Sequence, residues 1–452
     1  MRRGNFIRTA CRATRSGAVL LAVGIICGLS PSGCTAQSAQ SAQSPVTVFQ
    51  QTLKIKQFGE GILHLTARAP GCGWAKKGAE SAVVTVMLDD TVRREVVLFD
   101  GEKAHTYDLL LGALAAGNHR LKVAFRPDLS PPGARGAKID RAATEIVAPG
   151  DARYGAISHV PLLYGRNDNA TSDTPLILTY EGRDLGAGRR RFLYTVIFSN
   201  EDGGTGNDLG SLVARWGRST DIELVYDMVT GADGKTESAV IQAAGHRILP
   251  FGGIYEGTHP ILRTSTTNNM VSDTGKSRFL FGLAPLRQTF PFREPREALM
   301  DDAPWAHRIA AEEMMREEKW ESVPDPNTIA ASDIRNYLQV TYEAHVSEGA
   351  KLAVQVRLKD GSVYLSDHGR ESDAVGRSGQ LRTTVELPPG TKGRDIAAIG
   401  FVRADSSAAD ATVAALQAFL LDRNFRPQTP LIRWSGPLLK VPPGAPVVIP
   451  GL

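Results

Sequence analysis

Three carboxylates stand at strand spacing in Arg215-Trp216-Gly217-Arg218-Ser219-Thr220-Asp221-Ile222-Glu223-Leu224-Val225-Tyr226-Asp227. Side chains alternate along a strand, so Ile222, Leu224, Tyr226 and Met228 are expected on one face. Asp221, Glu223 and Asp227 are expected on the other, interrupted only by Val225. Acids sharing a face repel one another unless water, arginine or a cation intervenes. A hard cation such as Ca²⁺ takes several oxygen ligands, and Asp221 and Glu223 could supply two. Glu201, Asp202, Asn207 and Asp208 of the preceding loop could complete the shell, although that loop lacks the D-x-D-x-D-G order of a calcium loop. Two carboxylates are also all that glycoside hydrolysis requires. The plainer alternative is a solvated strand face paired with Arg215 or Arg218.

A second candidate is His259, in Gly257-Thr258-His259-Pro260. The following proline holds it extended. It reads as a metal ligand or general base, or else as a capping or core histidine. His159 and His246 carry the same alternatives, while His105 and His119 read as structural. Trp74, Trp216 and Trp434 are either stacking surfaces for a ligand or core residues. The chain contains no G-x-S-x-G elbow, H-E-x-x-H helix, P-loop or dinucleotide fingerprint, which removes the usual support for serine hydrolase, zincin and nucleotide enzyme.

Gly217-Arg218-Ser219-Thr220-Asp221-Ile222-Glu223 resembles the G-H-R-H-D-W-E heptapeptide of necrosis-inducing-protein-like toxins. It also resembles the G-D-W-E strand of a vacuolar-sorting-associated β-sandwich family. In that family a later histidine-containing segment is similar to Glu256-Gly257-Thr258-His259-Pro260. The resemblance implies metal-site positions for Asp221 and Glu223, with His259 entering from a neighbouring strand. Both heptapeptide histidines are replaced here, by Arg218 and Thr220, and the tryptophan by Ile222. The three-part layout is similar to that of secreted bacterial multi-domain proteins.

The elements that must position these residues are mostly strands. Residues 46–148 alternate as a β-sandwich, with Asp89-Asp90 and Asp100-Gly101 as turns. The segment LGALAAGNHRLKVAF resembles the penultimate hairpin of immunoglobulin-like or jelly-roll modules. Residues 151–291 form a central β-rich domain. Its strands are separated by long polar loops at 166–173, 199–204 and 266–269, where binding chemistry usually lies. Residues 292–326 form a linker carrying one bridging helix at 302–320. Asp302 is expected to cap this helix, Pro304 to occupy its first turn, and Glu312, Glu313, Glu317 and Glu318 to form a solvated face. Residues 327–452 read as a second sandwich, with a hairpin at Lys359-Asp360-Gly361-Ser362 and a strand at 412–422. Its Pro-rich tail is expected to lie extended. The fold class is therefore mainly β, two immunoglobulin-like or jelly-roll sandwiches flanking a central β-rich domain.

Residues 1–36 read as an export signal. Arg2, Arg3, Arg8, Arg12 and Arg15 precede an apolar run of 12 residues, too short to span a bilayer, which takes about 20. Cys34 is a lipidation site if cleavage follows Gly33; the alternative is ordinary cleavage after Ala36. Residues 37–45 form a polar, disordered tether. Loss of the five leader arginines turns the formal net charge of +4 into −1, so the basic balance says nothing about nucleic acid. No basic run with interleaved aromatics follows, and nucleic-acid binding is rejected. Of the four cysteines only Cys72 stands clear of the leader, which rules out an internal disulfide and a four-cysteine zinc site. The expectation is an exported, periplasmic or surface protein, touching membrane only through a lipid anchor. It binds an envelope ligand, a glycan for example, through the central loops, with a divalent cation such as Ca²⁺ as a cofactor candidate. The alternatives are a metal-assisted or acid/base hydrolase using Asp221, Glu223 and His259, or a structural envelope component.

Overall fold

Apolar alternation in the first hundred residues becomes seven antiparallel strands: β1 (Val46–Ile55), β2 (Gly59–Arg68), β3 (Val83–Leu88), β4 (Val92–Val97), β5 (His105–Leu114), β6 (Gly117–Phe125) and β7 (Lys138–Val147). They pair as β1-β6-β3-β4 and β5-β2-β7. The computed structural model describes residues 44–201, 208–287, 295–325 and 327–451. The expected leader with Cys34, Asp202, Asn207 and the 291/292 boundary lie outside them. The turns at Asp89-Asp90 and Asp100-Gly101 form as expected. Gly101 has φ +60, and a Cβ there would meet the Cys72 carbonyl oxygen at 2.5 Å, so the tight return requires glycine.

The short helix α1 (Tyr154–Ile157) leads into the central region. Its strands are β8 (Leu162–Tyr164), β9 (Pro175–Gly186), β10 (Arg189–Phe198), β11 (Asp221–Thr230), β12 (Thr236–Ala243), β13 (Arg247–Pro250), β14 (Tyr255–Glu256), β15 (His259–Thr264), β16 (Val271–Ser272), β17 (Leu280–Phe281) and β18 (Leu286–Arg287). One sheet runs β13-β12-β11-β10-β9-β18; the other runs β14-β15-β8-β17, with β16 on β15. An aromatic row crosses the larger sheet, with Tyr180, Tyr194 and Tyr226 in register. Ring centroids along it are 6.5 and 6.1 Å apart, and Phe251 and Tyr255 extend the row. Such pairs add about 0.5–1.5 kcal/mol each beyond their buried area. One hydrophobic core takes in residues from Leu53 to Ile309, so the first two sheets and the central sheets share an interior.

Between β10 and β11 lies α2 (Leu209–Trp216). Asp208 caps it by accepting from the Ser211 backbone, and Gly217 ends it in the left-handed conformation. The expected bridging helix is α3 (Pro304–Arg316). Pro304 occupies its first turn, but Asp302 does not cap it; the N-cap position is Ala303. Glu313 is buried rather than solvated. It shares a face with Ala306 and Ala310, seven and three residues back, and that face enters the core.

The remaining strands are β19 (Tyr337–Val346), β20 (Leu352–Leu358), β21 (Val363–Leu365), β22 (Gly379–Glu386), β23 (Ile396–Arg403), β24 (Ala411–Phe419), β25 (Ile432–Lys440) and β26 (Val447–Val448). The sheets β22-β19-β24-β25 and β21-β20-β23-β26 enclose a separate core. The Lys359-Asp360-Gly361-Ser362 hairpin and the strand at β24 form as expected, and β26 fixes the tail to β23. Among the described residues no helix is long and apolar enough to cross a membrane.

Candidate functional site

A β-bulge decides where the carboxylates point. Tyr194 on β10 faces Tyr226, but its neighbour Thr195 faces Leu224, so Val225 is an extra residue. The bulge shifts the alternation by one. Asp221 and Glu223 lie opposite Phe198 and Val196, on the same face as Tyr226 and Met228 opposite Tyr194 and Phe192. Both faces of the sheet are buried at this end, and the acids share the one filled by the aromatic row. Asp227 lies on the other, where it pairs with Arg191 at 2.5 Å. The expectation of three acids sharing a face with solvent is therefore corrected. Asp221 is 0% exposed and Glu223 is 6% exposed.

Burial is the main cause of their unusual acidity. It pushes Asp221 well above the ordinary carboxylate range, and the charges of Glu201 and Glu223 push the same way. Burial raises Glu223 to about 7; contact with Asp221 opposes this and Glu201 adds to it. Neither carboxyl oxygen of Asp221 has a hydrogen-bond partner among the described residues. Glu223 Oε2 accepts from Gln242 Nε2 at 2.6 Å. Arg218 turns to Glu201, at 2.6 Å, and donates to the Thr220 carbonyl.

The polar loops noted in the sequence meet beside this pair. Asn269 Nδ2 donates to Asp173 Oδ1 at 3.4 Å and to the Asn200 carbonyl at 3.0 Å. Asn169 Nδ2 donates to Asp173 Oδ2 at 3.2 Å. Asp173 is pushed well up by burial and by the charge of Glu313. Glu313 itself is raised to about 7 by burial, against the opposing charge of Arg316. It accepts from the Trp74 indole at 2.8 Å and from Arg316 at 2.5 Å. Trp74 is thus a core residue, not a stacking surface.

His259 has other partners. Its Nδ1 lies 3.0 Å from the Val160 carbonyl oxygen and its Nε2 lies 3.2 Å from Glu60 Oε2, both residues of the pair being buried. Two acceptors on one ring suit a clasp between β2 and β15. Among the described residues no three His, Cys, Asp or Glu side chains form a set that could hold a metal ion. Asp221 and Glu223 are brought together; His259 is engaged by the β2 carboxylate. His159 is buried, its Nδ1 2.8 Å from the Gly155 carbonyl oxygen. His105 packs among Phe99, Tyr107 and Trp305, and His119 binds Asp89 at 2.6 Å. Cys72 is buried and has no disulfide partner among the described residues, and burial raises its thiol.

Sequence reasoning misplaced Glu313 on a solvated face and passed over Gln242 and α2. Glu313 was readable from its spacing to Ala306 and Ala310, and α2 from an Asp208 cap nine residues before Gly217. No local signal marks Gln242. The chain matches no protein-family model, and no curated protein matches it significantly.

Proposed function

We propose that this is an exported envelope protein whose central sheets carry an acid/base site acting on an extracellular polymer, a glycan in the simplest case. The observation that carries the reading is the Asp221–Glu223 pair on one buried face of β11. A general acid must hold its proton near the working pH, and Glu223 at about 7 meets that condition. Asp221 is the deeper partner, and its contact moderates the rise that burial gives Glu223. As the glycosidic C–O bond breaks, Glu223 donates its proton to the leaving oxygen. Water adds to the sugar carbon and returns a proton to the Glu223 carboxylate, and Gln242 orients that carboxyl.

The test is release of new chain ends from a panel of envelope polysaccharides. Glu223→Gln is expected to lower kcat by roughly 10²–10⁴-fold, the usual contribution of a general acid, while circular dichroism stays unchanged. No turnover of any polymer by folded wild-type protein overturns the hydrolytic reading. Retained glycan binding without turnover would leave a binding protein.

The two oxygens of Asp221, unpartnered among the described residues, favour one further reading, a divalent cation held by Asp221 and Glu223 with oxygen donors outside the His/Cys/Asp/Glu set. In EDTA and then with Ca²⁺, Mn²⁺ or Zn²⁺, that reading predicts a rise in stability of about 2.7 kcal/mol at a hundredfold excess over Kd. The rise must vanish in Asp221→Ala/Glu223→Ala. An unchanged unfolding midpoint with every metal removes it.

A further inference from the structure

We propose that a recess where the first sandwich meets the central sheets binds a small planar ring bearing one hydroxyl, with His105 as its hydrogen-bond partner. Three parts of the chain converge on this recess: β4 and β5 with the turn between them, the start of β9, and Trp305 of α3. It holds about 100 Å³. An apolar cavity of about 150 Å³ admits benzene, so this volume suits a single six-membered ring. Its walls include Phe99, Tyr107, Phe281, Trp305, Leu176 and Leu178. Aromatic walls favour an aromatic guest, because ring faces and ring edges carry opposite partial charge. The floor is fixed by backbone bonds along β5. Leu110 N–H donates to the Gly282 carbonyl and Ala284 N–H to the Asp108 carbonyl, each at 2.9 Å. At the mouth Leu286 is 53% exposed, an apolar side chain that a bound ring would cover.

His105 supplies the polar contact. Its ring is held by Phe99, Tyr107 and Trp305, with centroids 5.0, 4.8 and 4.8 Å away. Its Nδ1 lies 3.3 Å from Asp100 Oδ2, and Arg308 holds Asp100 in turn at 2.7 Å. With Nδ1 facing that carboxylate, Nε2 has no hydrogen-bond partner among the described residues, and the ring forms part of the wall. A hydroxyl both gives and takes hydrogen bonds, so it satisfies Nε2 with or without a proton there. The other acids and the threonine of β5 in the wall are already engaged. Glu95 accepts from Arg93 and from the Leu280 N–H. The Thr106 hydroxyl meets Thr66, and Asp108 meets His64. A sugar would bring several hydroxyls against apolar walls and leave most of them unmatched, each at a cost. The recess therefore suits a phenol rather than a sugar. It contains none of Asp221, Glu223 and Gln242, and so stands apart from the acid pair.

The experiment is calorimetric titration of the protein with p-cresol, with toluene, which has the ring but no hydroxyl, and with glucose. Wild type is expected to bind p-cresol at one saturable site and glucose far more weakly. His105→Phe keeps an aromatic ring in place and removes the nitrogen. It is expected to weaken p-cresol roughly fivefold, the worth of one hydrogen bond, and to leave toluene little changed. Leu286→Trp, a change at the exposed mouth, is expected to close the recess and abolish p-cresol binding even if His105→Phe fails to fold. Absence of saturable p-cresol binding to wild type overturns the proposal. So does p-cresol affinity that is unchanged in folded His105→Phe or in Leu286→Trp, or glucose binding tighter than p-cresol. Glu223→Gln is expected to bind p-cresol as wild type does, so loss of the hydrolytic reading leaves this site standing.

Discussion

Between pH 5 and pH 8 the folded protein is expected to lose stability, the reverse of what paired surface carboxylates give. A carboxyl raised in the folded state binds its proton more tightly there than in the unfolded chain. Its contribution is complete below the ordinary carboxylate range and is lost as pH rises through the folded value. Glu223 moves from 4.5 to about 7 on folding, so its window is 4.5–7 and its loss is roughly 3 kcal/mol. Glu313 acts over the same window, and Asp173 and Asp221 act in the same direction. His159, lowered by burial, opposes them: the unfolded chain protonates it more readily, so its burden on the fold eases as pH rises towards 6.5. Asp151, lowered to about 2 by Arg153, works below pH 4 and does not enter. Total stabilities of 5–15 kcal/mol make such a loss large. Urea midpoints at pH 5, 6, 7 and 8 should therefore fall steadily, and Glu223→Gln should flatten the fall. A flat or rising profile in the wild type would mean that these groups are not buried as protonated acids.

The largest single-residue effect is expected at Arg382. This side chain is 2% exposed on β22, and its guanidinium meets both oxygens of Asp301, at 2.9 and 2.5 Å. It also donates to the Glu297 carbonyl at 3.2 Å and lies over Phe419. Arg382→Ala leaves the partly exposed Asp301 with His307, 3.6 Å away, as its remaining ion partner among the described residues, and breaking the pair this way costs up to about 3–5 kcal/mol. The pair holds the second sandwich against the segment that precedes α3. Replacing both partners, as Arg382→Met/Asp301→Leu, should recover most of the loss, because two apolar groups need no counter-charge. Chemical denaturation of the three proteins checks this. A cost for Arg382→Ala below about 1 kcal/mol, the median for an exposed pair, would place the pair in solvent.

The β-rich character was legible because period-two alternation survives in a single sequence. Val83-Val84-Thr85-Val86 and Leu381-Arg382-Thr383-Thr384-Val385 are strands in the structure as read. The acids at 221 and 223 were legible as an unusual pair for the same reason. Which way they face was not. One extra residue at Val225 reverses the alternation, and a bulge is set by pairing with β10, which no local pattern encodes. The aromatic row explains the outcome, since Tyr194 against Tyr226 fixes the register that turns Asp221 inward. Glu313 was misread because a run of glutamates suggests a wet face. Its burial rests on Trp74, 239 residues away in sequence. His259 was legible as a special histidine, but its partner Glu60 stands 199 residues earlier.

Helix α2 docks on β22, where Thr383 and Thr384 donate their hydroxyls to the carbonyls of Ala214 and Val213, and Gly217 packs against the stem of Arg382. A chain made from its N-terminus first would extrude α2 and β11 long before β22 exists, since Thr383 follows Ala214 by 169 residues. The turn that delivers Asp221 would then wait, without its support, until most of the chain has emerged. Assembly of the acid pair is thus tied to completion of the polypeptide, and a product shortened before β22 would carry every residue of the pair but not the surface that seats them.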